Sequence, residues 1–280
     1  MERELESILR EVRRSLGRVV VLTGAGISAE SGIPTFRGAG GYWVVGSQNY
    51  MPQEMATREM FERAPEEVWR WYLYRFGVCR FAEPNAGHRA LYRLEAALGD
   101  RFTLVTQNID GLHRRAGSKR VYCIHGDAAY VRCSNECGAG LLDLPAFPSR
   151  DKAEPLTGAD RARLTCGLCG GWLRPHVLWF DEYYDETYYR MESTLRSAEA
   201  ADLLLVVGTS GATNLPMQVG RIAFARGAAL VDVNPEPNPF AAMALRSARG
   251  FFARGSACER LPGIAEMLGA GPPEEHMAPR

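Results

Sequence analysis

Arg18 to Gly41 reads RVVVLTGAGISAESGIPTFRGAGG. Its aliphatic run, Val19 to Leu22, is too short for an amphipathic helix and rich in β-branched side chains, as in a strand buried on both faces. The run ends in Gly24-Ala25-Gly26, and Ala29 completes a G-x-G-x-x-A spacing. Glycines there let the backbone turn sharply and approach a phosphate, while a following helix offers unpaired N–H groups to it. A tight structural turn has the same signature, so the rest of the chain must decide.

Four further apolar runs share this character: Phe102 to Thr106, Val121 to Ile124, Leu203 to Val207 and Ala229 to Val233. They lead into Gln107-Asn108-Ile109-Asp110-Gly111, His125-Gly126, Gly208-Thr209-Ser210 and Asn234 respectively. Ligands of open α/β sheets bind beyond the carboxyl ends of strands, where these polar residues fall. Helical stretches separate the runs, which predicts an α/β fold with a parallel sheet covered on both faces. One such helix spans Arg3 to Leu16, with Leu5, Ile8, Val12 and Leu16 on one face and Gly17 as its stop. A second starts at Pro65 and runs through Phe76; a third runs from Ala86 to Leu98 and ends at Gly99. Val177 to Phe180 is a further short apolar segment, and the Pro-containing, charged tail from Gly269 reads as disordered.

The 280 residues suffice for a substantial core, and 33 basic against 33 acidic residues give no bulk attraction to nucleic acid or anionic membranes. No apolar run approaches the roughly 18–20 residues of a membrane helix. The charged start, Met1 to Glu6, lacks the apolar stretch of a secretory signal, so the expected location is cytoplasmic. Seven cysteines do not suggest a disulfide scaffold in a chain of this size. Cys133 and Cys137 form one close pair and Cys166 and Cys169 another, a pattern suited to tetrahedral zinc. Four thiolates close the coordination shell, so this zinc would be structural; Cys79, Cys123 and Cys258 read as ordinary thiols. His125 leads the candidates for a general base, because neutral imidazole accepts a proton at physiological pH; His88, His113 and His176 compete with it by spacing alone.

Together, GAGISAESGIPTFRG at 24–38, TQNID at 106–110, HG at 125–126, the four cysteines, GTS at 208–210 and the Asn234 segment resemble the sirtuins. The match runs in order from about Val19 to about Leu268. The resemblance implies an NAD-dependent protein-lysine deacylase acting on acylated-lysine proteins or peptides, expected to be a monomer. It implies a Rossmann part at about 1–38, 86–128 and 175–268. A small domain would comprise a helical insertion at 39–85 and a zinc module at 129–174, with 269–280 as tail. Carried over by position, Gly24, Ala25, Gly26, Ser28, Phe36, Arg37, Gln107, Gly208, Thr209, Ser210, Asn234 and Ala257 line the NAD site. Asn108 and Asp110 serve the nicotinamide and ribose region, the loop from Gly32 to Gly41 closes over the cofactor, and His125 is the base. Nicotinamide would leave as the acyl oxygen attacks the ribose, and O-acyl-ADP-ribose would be the product.

Tyr72 and Arg75 lie three residues apart on one helical face, where a phenol and a guanidinium can clasp an acyl chain ending in a carboxylate. This Tyr-x-x-Arg resembles the sirtuin branch that removes succinyl and malonyl groups, as do GAGGYW at 38–43 and EPNAGH at 83–88. The plain alternative packs Tyr72 in the core and leaves Arg75 in solvent. Val177, Trp179 and Phe180 are the remaining candidates for substrate contact. Three departures from the family pattern stand out: Asp181 within Trp179-Phe180-Asp181-Glu182, the longer segment Gly211 to Pro216, and Asp127 after His125-Gly126. Sirtuins pair substrate peptides with the first two segments, so Asp181 would bring bulk and charge to that cleft. Rival readings are NAD hydrolysis or ADP-ribosyl transfer on the same scaffold, and a non-catalytic NAD sensor. A hydride-transfer dehydrogenase fits less well, because no acidic ribose partner stands at the usual distance after the second strand.

Overall fold

The structure, a computed structural model, describes residues 2–35, 52–148, 150–151 and 154–271. Phe36, Arg37, most of the expected cofactor loop and the end of the expected tail lie outside the described residues.

Two sheets organise the molecule. The larger holds β1 (Val19–Thr23), β2 (Phe102–Thr106), β3 (Val121–Cys123), β7 (Leu203–Val207), β8 (Ala229–Asn234) and β9 (Gly250–Arg254) in the order β3-β2-β1-β7-β8-β9. All its pairings are parallel. The order steps outward from β1 one way, then returns to its other side, which is the Rossmann arrangement with its crevice between β1 and β7. The smaller, antiparallel sheet has β4 (Gly126–Cys133) at its centre, between β5 (Leu141–Asp143) and β6 (Leu173–Val177).

Alternation along the strands explains why the large sheet needs helices on both sides. Val19 and Val21 join a core with the helices Glu2–Arg14, Ala86–Leu98 and Ala257–Met267. Val20 and Leu22 point oppositely, into a core with the helices Met191–Glu199, Asn214–Ala225 and Pro239–Arg246. A third core joins the helices Arg58–Arg63 and Pro65–Phe81 to the small sheet, through Trp69, Tyr72, Val131, Leu173 and Trp179.

The described elements correct several sequence expectations. The first helix ends at Arg14, and Leu16 takes a left-handed conformation with its side chain exposed, so it belongs to the stop and not to the apolar face. The third helix matches its expected span, Ala86–Leu98, whereas the second runs five residues beyond Phe76, to Phe81. The helix expected after Gly24 is of the 3₁₀ type, Ala25–Ser31. The strands β4, β5, β6 and β9 were not among the apolar runs, for their sequences mix charge and glycine with short apolar stretches. Among the described residues no helix is long and apolar enough to cross a membrane.

Candidate functional site

The C-terminal ends of β1, β2 and β7 meet at one edge of the large sheet. Gly26 N–H donates to the Gly208 carbonyl at 2.8 Å and Gly24 N–H to that of Val207 at 3.0 Å, so the turns after β1 and β7 are stitched together. A side chain on Gly26 would place its Cβ 2.6 Å from the Gly208 Cα. These glycines are therefore demanded by contact between two protein loops, and the amides of Gly24 and Gly26 already have protein acceptors. The close approach of the two turns is thus a demand for glycine that holds whether or not a phosphate lies against them.

A chain of polar side chains crosses the crevice. Asn108 Nδ2 donates to the Gly24 carbonyl and to Ser28 Oγ, both at 3.1 Å, and Ser28 Oγ donates to Asp110 Oδ2 at 2.7 Å. Asp110 Oδ1 accepts from Leu112 N–H at 2.9 Å; burial raises its pKa above the usual carboxylate value against these hydrogen bonds. Gln107 Nε2 donates to Thr209 Oγ1 at 2.8 Å, and Thr213 Oγ1 donates to Gln107 Oε1 at 3.0 Å. Asn85, the cap of the helix Ala86–Leu98, donates to the Ile27 carbonyl at 2.7 Å and fixes the 3₁₀ turn from behind. Thr213 and Asn85 were not singled out by sequence, although Thr213 lies in the lengthened segment after GTS.

His125 stands where β3 passes into β4. Its Nδ1 is 3.1 Å from the Gln107 carbonyl, which only accepts, so Nδ1 carries the hydrogen and Nε2 the lone pair. Tyr184 Oη lies 2.9 Å from that Nε2. Burial lowers the ring's pKa to about 4, against the Gln107 carbonyl, so the imidazole is neutral near pH 7. Gly126 follows with φ +94°, and a Cβ there would fall 2.0 Å from the His176 carbonyl, so only glycine lets β4 leave His125 in this place.

The competing histidines have structural partners. His88 completes the capping box of its helix, and His113 Nε2 bonds Thr23 Oγ1 at 3.0 Å in the core. His176 is buried in β6 and stacks on Tyr189 at 5.7 Å. Asn234 ends β8, but its Nδ2 donates to Asp232 Oδ1 at 2.7 Å; Asn238 donates to the other oxygen, and burial still pushes Asp232 up to about 6. Ala25 is partly exposed and Ser210 exposed at the crevice, and Ala257 opens the helix Ala257–Met267 beside Gly87.

Tyr72, Trp179 and Val177 are core residues; Tyr72 accepts the Trp179 indole N–H at 3.0 Å, leaving its own O–H to donate. Arg75 is buried too, its guanidinium 4.4 Å from the Trp71 ring centre, so it is not the solvated arginine of the plain alternative. Phe180 is exposed, while its N–H donates to the Ala56 carbonyl at 2.9 Å.

The family departures acquire physical roles. Asp181 accepts from the N–H groups of Arg58 at 2.8 Å and Glu59 at 3.1 Å, so it caps the helix Arg58–Arg63. Asp127 is buried and faces Arg114 at 3.4 Å and Ala129 N–H at 2.9 Å. An apolar cavity of about 510 Å³, lined by Leu73, Phe76, Cys79 and Ala128, reaches Asp110. A larger groove of about 860 Å³ runs along β3 among Arg101, Lys119, Arg120 and Tyr188, and of the candidate bases it holds His176 and not His125.

The sulfurs of Cys133, Cys137, Cys166 and Cys169 lie within 4.8 Å of one another, with contacts of 3.4 Å (Cys133–Cys169) and 3.6 Å (Cys137–Cys166). A tetrahedral zinc with bonds of about 2.3 Å spaces its sulfurs by about 3.8 Å, so the cluster fits that ion with little adjustment. Backbone N–H groups of Cys169 and Leu168 lower the Cys166 thiol to about 7, toward the thiolate a metal requires.

A family model described as the Sir2 family matches residues 24–214. A Thermus thermophilus protein named NAD-dependent protein deacylase is 44% identical over 247 residues, covering 86% of this chain and 89% of that protein. A Mycobacterium tuberculosis protein of the same name is 40% identical over 257 residues, covering 90% and 98%. Among solved structures, a Sir2 homologue in complex with NAD superposes with a TM-score of 0.75 at 34% identity, over 96% of this chain and 93% of the other. On the length of these matches and on the crevice, the chain belongs to the Sir2 family.

Proposed function

We propose that this protein removes acyl groups from lysine side chains at the expense of NAD, with His125 as general base. The observation that carries this reading is the tautomer of His125. With Nδ1–H held by the Gln107 carbonyl, Nε2 is the nitrogen whose lone pair can take a proton, and burial keeps the ring neutral. NAD, when bound, supplies an electrophilic ribose carbon by loss of nicotinamide. Asn108, Ser28 and Asp110 form the polar wall of that crevice, and their mutual hydrogen bonds hold them in place before any ligand arrives. His125 Nε2 would take the proton of a ribose hydroxyl of that cofactor and so activate its oxygen as the nucleophile. The named relatives act as NAD-dependent protein deacylases and a solved neighbour binds NAD, which supports the same use of this crevice. Zinc, held by the four cysteines, would brace the β4–β6 module and take no part in chemistry.

The finer reading is a preference for acidic acyl groups. Tyr72 and Arg75 support it: both are buried, the phenol retains a donor, and the guanidinium is desolvated, where pairing with a carboxylate is strong. The test is a panel of acetyl-, malonyl- and succinyl-lysine peptides with NAD, followed by mass. His125→Ala should retain NAD binding and lose at least about 100-fold in turnover on every peptide. The double change Tyr72→Phe, Arg75→Met should cut desuccinylation at least about 10-fold more than deacetylation. Nicotinamide release without peptide would favour NAD hydrolysis, and equal losses on all acyl groups would remove the clasp.

A further inference from the structure

Tyr184 belongs to the aromatic, acidic run after Glu182, and its ring packs against the core that includes Val20, Ile124 and Leu215. Its hydroxyl reaches His125 Nε2 at 2.9 Å, with ring centres 5.9 Å apart. Nδ1 must donate to Gln107, so the neutral ring can only accept at Nε2, and the phenol O–H is the donor. Burial pushes the Tyr184 pKa up to about 12, which keeps that proton in place. The segment around it is braced on both sides. Glu182 Oε2 accepts from Arg174 at 2.9 Å and from Trp179 N–H at 3.1 Å, and Asp185 caps Tyr188 N–H at 2.6 Å.

The lone pair that must receive a ribose proton is therefore already occupied. We infer that Tyr184 is a positioning residue that caps the base in the ligand-free enzyme and gives up Nε2 to the ribose hydroxyl when substrates bind. The inference rests on His125 being the base. In the exchange, the ribose O–H replaces the phenol O–H as donor to Nε2. That O–H then breaks, a new N–H forms on Nε2, and the electron pair stays on oxygen for its attack. The resulting imidazolium keeps its Nδ1–H on Gln107. Until the exchange, the phenol fixes the ring's rotation and excludes water from its basic nitrogen.

Other ionisable groups near this strand end are engaged elsewhere. Asp127 faces Arg114 and Ala129 N–H, and Asp110 holds Ser28 and Leu112 N–H. The cap can thus be read through the titration of His125. Donation to Nε2 favours the neutral ring, so Tyr184→Phe, which keeps the packing ring, should raise the ring's pKa in the free enzyme. The acid limb of kcat/KM should move up by about 0.5–1 pH unit, since kcat/KM reports the free enzyme. The acid limb of kcat should stay put, because the phenol has already left Nε2 in the complex. Tyr184→Leu should shift kcat/KM in the same direction, and thermal unfolding of both variants checks that the fold is kept. An unmoved kcat/KM limb in both folded variants overturns the cap. Equal movement of both limbs overturns the displacement, for Tyr184 would then stay on the base throughout turnover. Retained turnover in His125→Ala strikes the base assignment itself, and so is told apart from either result.

Discussion

In the large sheet, β1, β7 and β8 are buried along their whole length, and Asp232 is their only ionisable side chain. In the small sheet the buried positions of β4 and β6 include Asp127, Arg132, Arg174 and His176, and every residue of β5 is exposed. The first sheet rests on apolar area, which is non-directional and indifferent to pH. The second has three short strands and too little apolar surface of its own, so it leans on ion pairs, helices packed against it and four cysteines. The difference predicts that the two regions fail separately. The site's floor belongs to the robust region, and the segment carrying Trp179, Asp181 and Tyr184 is braced by the fragile one.

The sharpest break comes through the metal. Purified protein should contain one zinc per chain, and a strong chelator or Cys166→Ser should unfold the module around it, because structural zinc contributes folding free energy directly. Hydrogen exchange should show protection of β4 and β6 amides falling by at least about 100-fold. Amides of β1, β7 and β8 should change by less than about 10-fold. Equal loss across both sheets would mean that the two regions are one cooperative unit.

A smaller effect tests the ion pairs. Glu182 accepts from Arg174 and lies 3.6 Å from Arg132, both of whose side chains are nearly inaccessible. Burial alone would raise the Glu182 pKa, but the arginines and the Trp179 N–H hold it below the usual value. A depressed folded pKa contributes stability that is full above the unfolded value, about 4.3, and is lost as pH falls through the folded one. Glu182→Gln leaves the buried Arg174 guanidinium without its anion and Arg132 with only the exposed Glu136 at 4.0 Å, and should cost about 3 kcal/mol at pH 7. Denaturant titrations should show the gap between wild type and variant closing as the pH drops below 4.3. A gap that persists unchanged would mean that the pair contributes packing and not charge.

The same contrast explains what could be read in advance. Continuous apolar runs with polar residues at their ends are strong signals, and they located the parallel strands β1, β2, β3, β7 and β8 and the polar cluster beyond them. The pairs Cys133/Cys137 and Cys166/Cys169 were legible because metal geometry imposes spacing. The strands β4 and β6 were not, since GDAAYVRC and LRPHV place charges at positions that only tertiary partners neutralise. Thr213 and Tyr184 were missed for a related reason: each matters through a partner more than fifty residues away in sequence, Gln107 and His125. The glycines at 24 and 26 were recognised, but one reason for them was not legible, because the neighbour that excludes a side chain is the turn after β7.

Asp181 carries the smallest effect, and it separates two accounts of the substrate cleft. From sequence, Asp181 brings bulk and negative charge to the peptide-pairing segment, which leaves open the selection of basic peptides, a narrower cleft or a non-peptide substrate. In the structure both its oxygens are taken by the N–H groups of Arg58 and Glu59, at the positive end of a helix. Thr57 caps the same helix through Met60 N–H at 3.1 Å, so the two acceptors share the load. Asp181→Gly should therefore cost only about 0.5–1 kcal/mol of stability, seen as a small drop in the melting temperature. The decisive measurement is the ratio of KM values for acyl-lysine peptides flanked by lysines and by glutamates. A carboxylate committed to the helix leaves that ratio within about two-fold of wild type, since its charge is already compensated at its own site. A ratio that rises about ten-fold would mean that the negative charge is felt in the cleft, and would make Asp181 a selector of basic peptides after all.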